Sequence, residues 1–214
     1  SSIYELYGKG PSSFTFEPVA TDIGTTGNKA VTVHDALLPM ISRDGIFRYD
    51  GGIRPRKEYS SAVQTLVRDM NPAQYAKSVA GCDGDYIYFG VPVGSASEVN
   101  RIIQYDPIYK TWYTWDGIAV TQMCRVGAVM YFGDASGRVL RLGGTTDNGS
   151  AITATAITKP FTAGSISRKQ HWFKLWLVAS ISAGSTLRID LSGQARGSNW
   201  IHAKTLTADS DIQF

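Results

Sequence analysis

The chain has 214 residues, of which 43% are hydrophobic and 11% aromatic, so it can bury a core and is not a disordered polypeptide. Its formal net charge of +3 comes from scattered basic residues, which gives no argument for specific nucleic-acid binding, and no run approaches the ~20 apolar residues of a membrane span. The 22 glycines and 11 tyrosines favour a protein of strands and turns.

Three units along the chain share one pattern: an apolar strand, a turn, and a strand that ends at a Gly or Asp corner. They cover residues 31–52, 86–106 and 128–144. Tyr49, Tyr105 and Leu142 hold equivalent positions, separated by 56 and 37 residues, and the shorter interval approaches the ~40-residue period of propeller blades. The sequence therefore predicts irregular β-propeller-like blades, built as antiparallel meanders, over residues 1–145.

A segment between the first two units, about 57–77, breaks the strand pattern. Ala62, Leu66 and Met70 recur at helical spacing, and Asn71-Pro72 ends the run. We predict one or two short helices here, capped near Ser60 or Ser61. The favoured interpretation is a connector between blades, and the alternative is a docking helix for a neighbouring protein.

The stretch from Asn100 to Leu142 reads as strand, tight turn, strand and a second hairpin. Trp112, Tyr113 and Trp115 lie within it and form the candidate interaction surface, either a platform for stacking sugars or a protein-binding hot spot. Neighbouring residues of a strand point to opposite faces, so Trp112 and Tyr113 must face apart. Packing in the core is the favoured interpretation over ligand binding.

After residue 145 the character of the sequence changes. Trp172 to Ile181 and Ser185 to Leu191 read as longer strands, and the Ala183-Gly184 turn is expected to join them into a hairpin. We predict a β-sandwich-like region over 146–214. The chain starts at Ser1 without Met and stops at Phe214 with no terminating pattern, so we expect both regions to be parts of a longer polypeptide.

The residues offer little catalytic chemistry. The histidines His34, His171 and His202 stand in separate elements without metal-ligand spacing, and no nucleophile elbow, phosphate loop or zinc motif is visible. Most aspartates adjoin Gly or Pro, where their carboxylates are expected to hold turns. We therefore predict no enzyme activity, no catalytic residues, no cofactor and no metal. Cys82 and Cys124 are interpreted as buried free thiols, although spacing leaves a disulfide open.

Several segments, taken in order, resemble bacteriophage virion proteins of the head–tail connector and tail. They are Ile23 to Thr26, Asp44 to Gly51, Tyr86 to Pro92, Tyr105 to Gly117, Tyr131 to Leu142 and Thr146 to Gly149, leading to Lys159-Pro-Phe161 and Lys169. The nearest group is the packaged-DNA stabilisation proteins (tail accessory proteins) of short-tailed phages. The resemblance implies a non-enzymatic structural subunit with a propeller, present in several symmetric copies.

On this resemblance we expect a structural subunit of a phage or prophage particle, located in the virion and assembled in the cytoplasm of the host bacterium. Its expected partners are portal, connector or tail subunits and further copies of itself in a homo-oligomeric ring, with no membrane and no specific nucleic-acid binding. A carbohydrate-binding or receptor-binding tail module is the alternative, motivated by Trp112, Trp115, Trp172, Trp176 and Trp200. A propeller hydrolase is the third hypothesis.

Overall fold

A computed structural model describes residues 2–52, 54–56, 58–161, 171–193, 199–208 and 212–213. The chain divides into two compact units, Ser1–Ile152 and Thr153–Phe214. The secondary structure is mainly β, with several antiparallel sheets and short helical segments, which confirms the mainly β part of the prediction. Within the described residues no sheet closes into a barrel or a complete propeller, and the assignment of blades stays a prediction.

The first unit contains four sheets that follow one another along the chain, and a short hairpin. The first sheet pairs β1 (Ile3–Tyr7) with β2 (Thr15–Ala20), and the second pairs β3 (Leu38–Ser42) with β4 (Gly45–Tyr49). The third sheet is a meander of β5 (Val79–Cys82), β6 (Ile87–Val91), β7 (Arg101–Asp106) and β8 (Thr111–Asp116). The fourth contains β9 (Val120–Val126), β10 (Val129–Asp134) and β11 (Val139–Arg141), and β12 (Thr146–Asp147) pairs with β13 (Ser150–Ala151).

These four sheets pack face to face as successive layers. The first core, around Met40 and Phe47, joins the β1–β2 layer to one face of β3–β4. The second core joins the other face of β3–β4 to β6 and β7, through residues such as Ile41 and Phe89. The third core joins the opposite face of the β5–β8 sheet to the β9–β11 sheet, where Tyr88 lies edge-on to Phe132 with ring centroids 6.2 Å apart. Every interior layer thus contributes apolar side chains on both faces.

The sequence of β6 reflects this double burial. All five of its residues are buried, and they form a continuous apolar run in place of the alternation of a half-exposed strand. The outer strand β8 alternates more and is partly exposed. The hairpins of the three repeated units, β3–β4, β6–β7 and β10–β11, all form, so the strand-turn-strand interpretation of those segments is confirmed.

Aspartates close the turns as the sequence predicts. Asp83 accepts hydrogen bonds from the backbone N–H groups of Asp85 and Tyr86, at 3.0 and 2.7 Å, and from the Tyr88 hydroxyl at 2.6 Å. Asp106 holds the β7–β8 turn and Asp134 the β10–β11 turn through similar backbone bonds. The N–H and guanidinium of Arg138 hold the pKa of Asp134 below its usual range.

The predicted insertion is helical in three short pieces. A 3-10 segment, Glu58–Val63, leads into α1 (Gln64–Arg68), and a second 3-10 segment follows at Pro72–Lys77. The capping prediction is wrong, because α1 begins after Val63 without a side-chain cap, and the Ser60 hydroxyl instead accepts a hydrogen bond from the Ile46 N–H of β4. The residues that end the run behave as expected, since the Asn71 side chain accepts from the Ala73 N–H. Val67 and Met70 are buried in the second core, as a connector between layers requires.

The second unit differs from its prediction. Only Ser180–Ile181 of the segment 172–181 is a strand (β14), and it pairs with β17 (Ile212–Gln213). The expected hairpin at Ala183-Gly184 is wrong, because β15 (Thr186–Leu191) pairs over its whole length with β16 (Ile201–Thr207). The Ala183-Gly184 turn bonds to Ala208, the residue after β16. The Gly184 N–H donates to the Ala208 carbonyl at 2.8 Å, and the Ala208 N–H to the Ser185 carbonyl at 3.1 Å. A later strand thus competes successfully with the local hairpin.

A carboxylate fastens the first layer to the second. Glu5 of β1 accepts hydrogen bonds from the hydroxyls of Tyr49 and Tyr7 and from the Gly52 N–H. These bonds, that from Tyr49 foremost, lower the pKa of Glu5, while the bond to the carboxylate raises the pKa of Tyr7 to about 12. Both shifts favour an ionised Glu5 with neutral tyrosines at neutral pH.

We therefore expect Glu5→Gln to lower the melting temperature most near neutral pH. A carboxyl whose pKa is lower in the folded state stabilises that state above its unfolded value of about 4.3, and this gain is lost as the pH falls through the folded value. On the alkaline side, the raised pKa of Tyr7 means that its contribution disappears as the pH rises from 10 to about 12. Thermal unfolding of wild type and variant from acid to alkaline pH checks both windows.

Glu17→Gln is the matched control, because Glu17 lies opposite Glu5 on β2 and accepts none of these three hydrogen bonds. Its melting temperature should not fall below that of the wild type near neutral pH, because Glu17→Gln breaks none of these bonds and removes the like charge opposite Glu5. A gap between wild type and Glu5→Gln that stayed constant down to pH 3 would contradict the role of the carboxylate.

Candidate functional site

The aromatic residues singled out by the sequence lie on β8, the edge strand of the four-stranded sheet. Trp112 is paired with Tyr105 and Trp115 with Ile102 on β7. The two tryptophans are half-buried and face opposite sides of the sheet, and Tyr113 shares the side of Trp115. The structure therefore does not bring Trp112, Tyr113 and Trp115 together into one platform.

Each tryptophan packs against a different core. The Trp112 ring lies 4.5 Å from the Tyr105 ring and 6.3 Å from the Phe89 ring, between centroids, against the second core. The Trp115 ring meets the Tyr88 ring edge-on at 5.9 Å, against the third core. Aromatic pairs at these distances add packing energy beyond the area that they bury. The contacts agree with core packing, the interpretation favoured from sequence.

Tyr113 is the most exposed member of the set, at 49%. Its hydroxyl lies 3.3 Å from the Thr111 hydroxyl. Its ring is on the same face of the β5–β8 sheet as Tyr86 and Tyr88. Burial and the hydrogen bond to Asp83 raise the pKa of Tyr88, and the charge of Asp106 raises that of Tyr86. The tyrosines of this face can donate hydrogen bonds and stack, and the turn carboxylates Asp83 and Asp106 accept hydrogen bonds.

A second set of exposed residues was missed by the sequence analysis. On the outer face of β1–β2, the register pairs Tyr4 with Pro18 and Leu6 with Phe16, and Leu6 and Phe16 are 52% and 69% exposed. The opposite face of the same layer carries Ile3 and Glu5, which contact β3–β4. We call the four outward residues Tyr4, Leu6, Phe16 and Pro18 the first end face. Apolar residues on both sides of β1, in the run Ile3 to Tyr7, were the signal that could have revealed it.

The β9–β11 sheet ends the series of layers on the other side. Its inner face, with Met123, Met130 and Phe132, lies in the third core. Its outer face, which we call the second end face, is formed by register-paired residues: Cys124, Val126, Val129, Tyr131 and Val139, with Gln122 and Arg141 as its polar members. Val126 and Val139 are 62% and 76% exposed. Contiguous apolar groups of this kind on a sheet face are typical of interaction sites.

The cysteines are free thiols, as the favoured interpretation predicted. Burial raises the pKa of the partly buried Cys82, which keeps it protonated and unreactive near neutral pH. The predicted burial of Cys124 is wrong, because this residue lies on the second end face. Its strand, β9, is covered by the third core on one face only.

The histidines and carboxylates have structural surroundings. His34 is buried beside a backbone bridge to Leu37, and His202 lies 3.2 Å from Asp190 on the neighbouring strand. Across the described residues, no three His, Cys, Asp or Glu side chains gather closely enough to hold a metal ion. Nor does the described part of the chain contain a helix long and apolar enough to cross a membrane.

The chain matches no protein-family model and has no significant match among curated proteins.

We expect Trp112→Ala to lower the free energy of unfolding by about 2–3 kcal/mol, because the large ring leaves a half-buried site against Phe89 and Tyr105. Tyr113→Ala, one position away on the exposed side, should cost less than about 1 kcal/mol. Urea unfolding of both variants measures the difference. Equal losses would mean that Trp112 does not pack as described.

Proposed function

We propose that this protein is a non-enzymatic structural subunit of a phage or prophage particle, at the head–tail connector or tail. The observation that carries the proposal is the series of packed sheets with an exposed apolar face at each end. A subunit that assembles with further copies needs such faces, whereas a lone monomer exposes few of them. The resemblance of the ordered segments from Ile23 to Gly149 supports the phage context.

The arrangement of the layers also supports a propeller as the finer fold. The third sheet is a four-stranded antiparallel meander whose strands follow chain order, as in a blade. Its first strand, β5, lies beside β9, the first strand of the next sheet, while its last strand, β8, is at the free edge. First strands that meet and last strands that diverge are the geometry of neighbouring blades. The sandwich proposed for residues 146–214 would follow this part.

Two different end faces predict a head-to-tail contact between copies. The first end face of one copy would pack on the second end face of the next and continue the layer-on-layer packing seen inside the chain. Such heterologous contacts generate rings when the rotation closes. Both faces carry exposed apolar side chains, Leu6 and Phe16 on one and Val126 and Val139 on the other. We therefore propose that the homo-oligomeric ring forms through these residues.

The location in a particle is tested on the particle itself. Induced lysates of the source bacterium, fractionated on a density gradient, are probed by mass spectrometry for peptides of this chain. The proposal expects these peptides in the fraction with portal and tail proteins, at a constant ratio to the portal. Peptides found only among unassembled proteins would overturn the phage role.

Charge introduced on either end face should abolish assembly. We expect Leu6→Glu and Val139→Glu to convert the assembly to monomers, because a carboxylate buried in an apolar contact is strongly unfavourable. Sedimentation velocity at several protein concentrations measures the species. Val33→Glu is the control, since Val33 is equally exposed but lies on neither end face.

A mixture of the two charged variants distinguishes head-to-tail contact from two-fold pairing. Leu6→Glu keeps an intact second end face and Val139→Glu an intact first end face, so the mixture should form dimers although each variant alone is monomeric. Assembly of either variant alone, or no dimer in the mixture, contradicts the head-to-tail contact.

A carbohydrate-binding or receptor-binding tail module is the second candidate, and exposed tryptophans in the second unit favour it. Trp172, Trp176 and Trp200 are all exposed, Trp176 at 85%. Flat exposed indole rings stack on sugars as they do on other ligands. A glycan array with wild type and a Trp172→Ala/Trp176→Ala variant tests it: binding that the variant loses supports this function, and a blank array at high protein concentration removes it.

A further inference from the structure

Three segments of the first unit meet around a groove of about 300 Å³. Residues 28–32, which run beside β3, form one wall, and β5 and β9 form the others. The walls are tied together: the Ala80 N–H of β5 donates to the Lys29 carbonyl at 2.7 Å, and the Lys29 Nζ donates to the Thr121 carbonyl of β9 at 3.2 Å. The groove is therefore defined by backbone contacts and not by side chains alone.

A glycine sets how closely β5 and β9 approach. A Cβ at Gly81 would lie 2.7 Å from the Cβ of Met123, a distance that real side chains do not adopt. The absence of a side chain lets Met123 pack directly on the β5 backbone. This contact forms the apolar side of the groove, which continues to Val31 and Met130.

The polar lining of the groove is cationic. Among the described residues that line it, Lys29 and Arg125 are the charged ones, and Asn28, Thr32 and Gln122 add uncharged polar groups. Five other basic residues, Arg54, Lys77, Arg101, Arg138 and Arg188, form ion pairs with carboxylates. Neither Lys29 nor Arg125 has such a pair within the described part of the chain.

Both cations are nevertheless held in place. The Arg125 Nε donates to the Gly127 carbonyl at 2.7 Å, and its two terminal nitrogens lie over Gly84, whose φ of +109° and lack of a Cβ leave them room. A guanidinium fixed through Nε keeps its terminal N–H groups free to bind both oxygens of a phosphate or carboxylate. The carboxylate of Asp83, in the turn that contains Gly84, is occupied by the N–H groups of its own turn and by Tyr88.

We propose that this groove is a binding site for an oxyanion, the phosphate or carboxylate group of a small ligand, with Arg125 as its main ligand. Arg125 supplies the paired donors, and Lys29, held at the Thr121 carbonyl four residues earlier on β9, adds a positive charge further along the groove. Asn28 and Gln122 offer amide donors to the remaining oxygens. The proposal does not depend on a phage role or on assembly of copies.

The test is titration calorimetry of the full chain with inorganic pyrophosphate and, separately, with citrate, at constant ionic strength maintained with sodium chloride. The two anions distinguish phosphate from carboxylate as the preferred group. We expect saturable binding of at least one of them. Arg125→Gln should weaken it by about tenfold, because a hydrogen-bonded charge pair is lost, and Lys29→Gln by several-fold.

Arg125→Lys keeps the charge but loses the fork of donors, so it should fall between wild type and Arg125→Gln. Lys9→Gln is the control, because Lys9 is an exposed cation of the same unit that does not line the groove. Circular dichroism checks that each variant is folded. If Arg125→Gln does not fold, the weaker binding of Lys29→Gln is the test.

Absence of saturable binding of both anions by the wild type would overturn the proposal. Equal weakening by Lys9→Gln and Arg125→Gln would also overturn it, since binding would then reflect net charge alone.

Discussion

The structure of the first unit depends on burial of the β5–β8 sheet on both faces. Strand β6 supplies Phe89 to one core and Tyr88 to the other, so removal of either neighbouring layer would expose large aromatic groups to water. Full burial of such a side chain stabilises the fold by about 1.5–3 kcal/mol. The buried Tyr88 hydroxyl of this layer is satisfied by its hydrogen bond to Asp83. The positions of the turns, the helical connector and the groove follow from this central layer.

Local chemistry explains which features the sequence could predict. Strands with an alternating or continuous apolar pattern are determined within a few residues. So are the turns closed by Asp83, Asp106 and Asp134, which form where the sequence predicts them. The helical connector was predictable for the same reason, because Val67 and Met70 carry its spacing. The cap was not, since Ser60 makes its bond to a strand fourteen positions away.

Contacts between distant segments were the part that sequence could not supply. The segment 172–181 has strand composition, yet β15 pairs with β16, because a longer complementary strand outcompetes a short local hairpin. The sequence shows the aromatic cluster of the candidate surface, but it does not show that its two tryptophans pack against different cores, because this depends on which layers flank β8. The cationic groove likewise exists only because segments far apart in the chain meet.

The Glu5 contact has a consequence for the dynamics of the molecule. The β1–β2 layer is covered on one face only, and its attachment rests on a small core and on one carboxylate with three donors. We expect such a layer to open at a lower free energy than the interior sheets, and to exchange its amide hydrogens before they do. Packing of another copy on Leu6 and Phe16 would cover the open face of this layer, so assembly would slow its local opening.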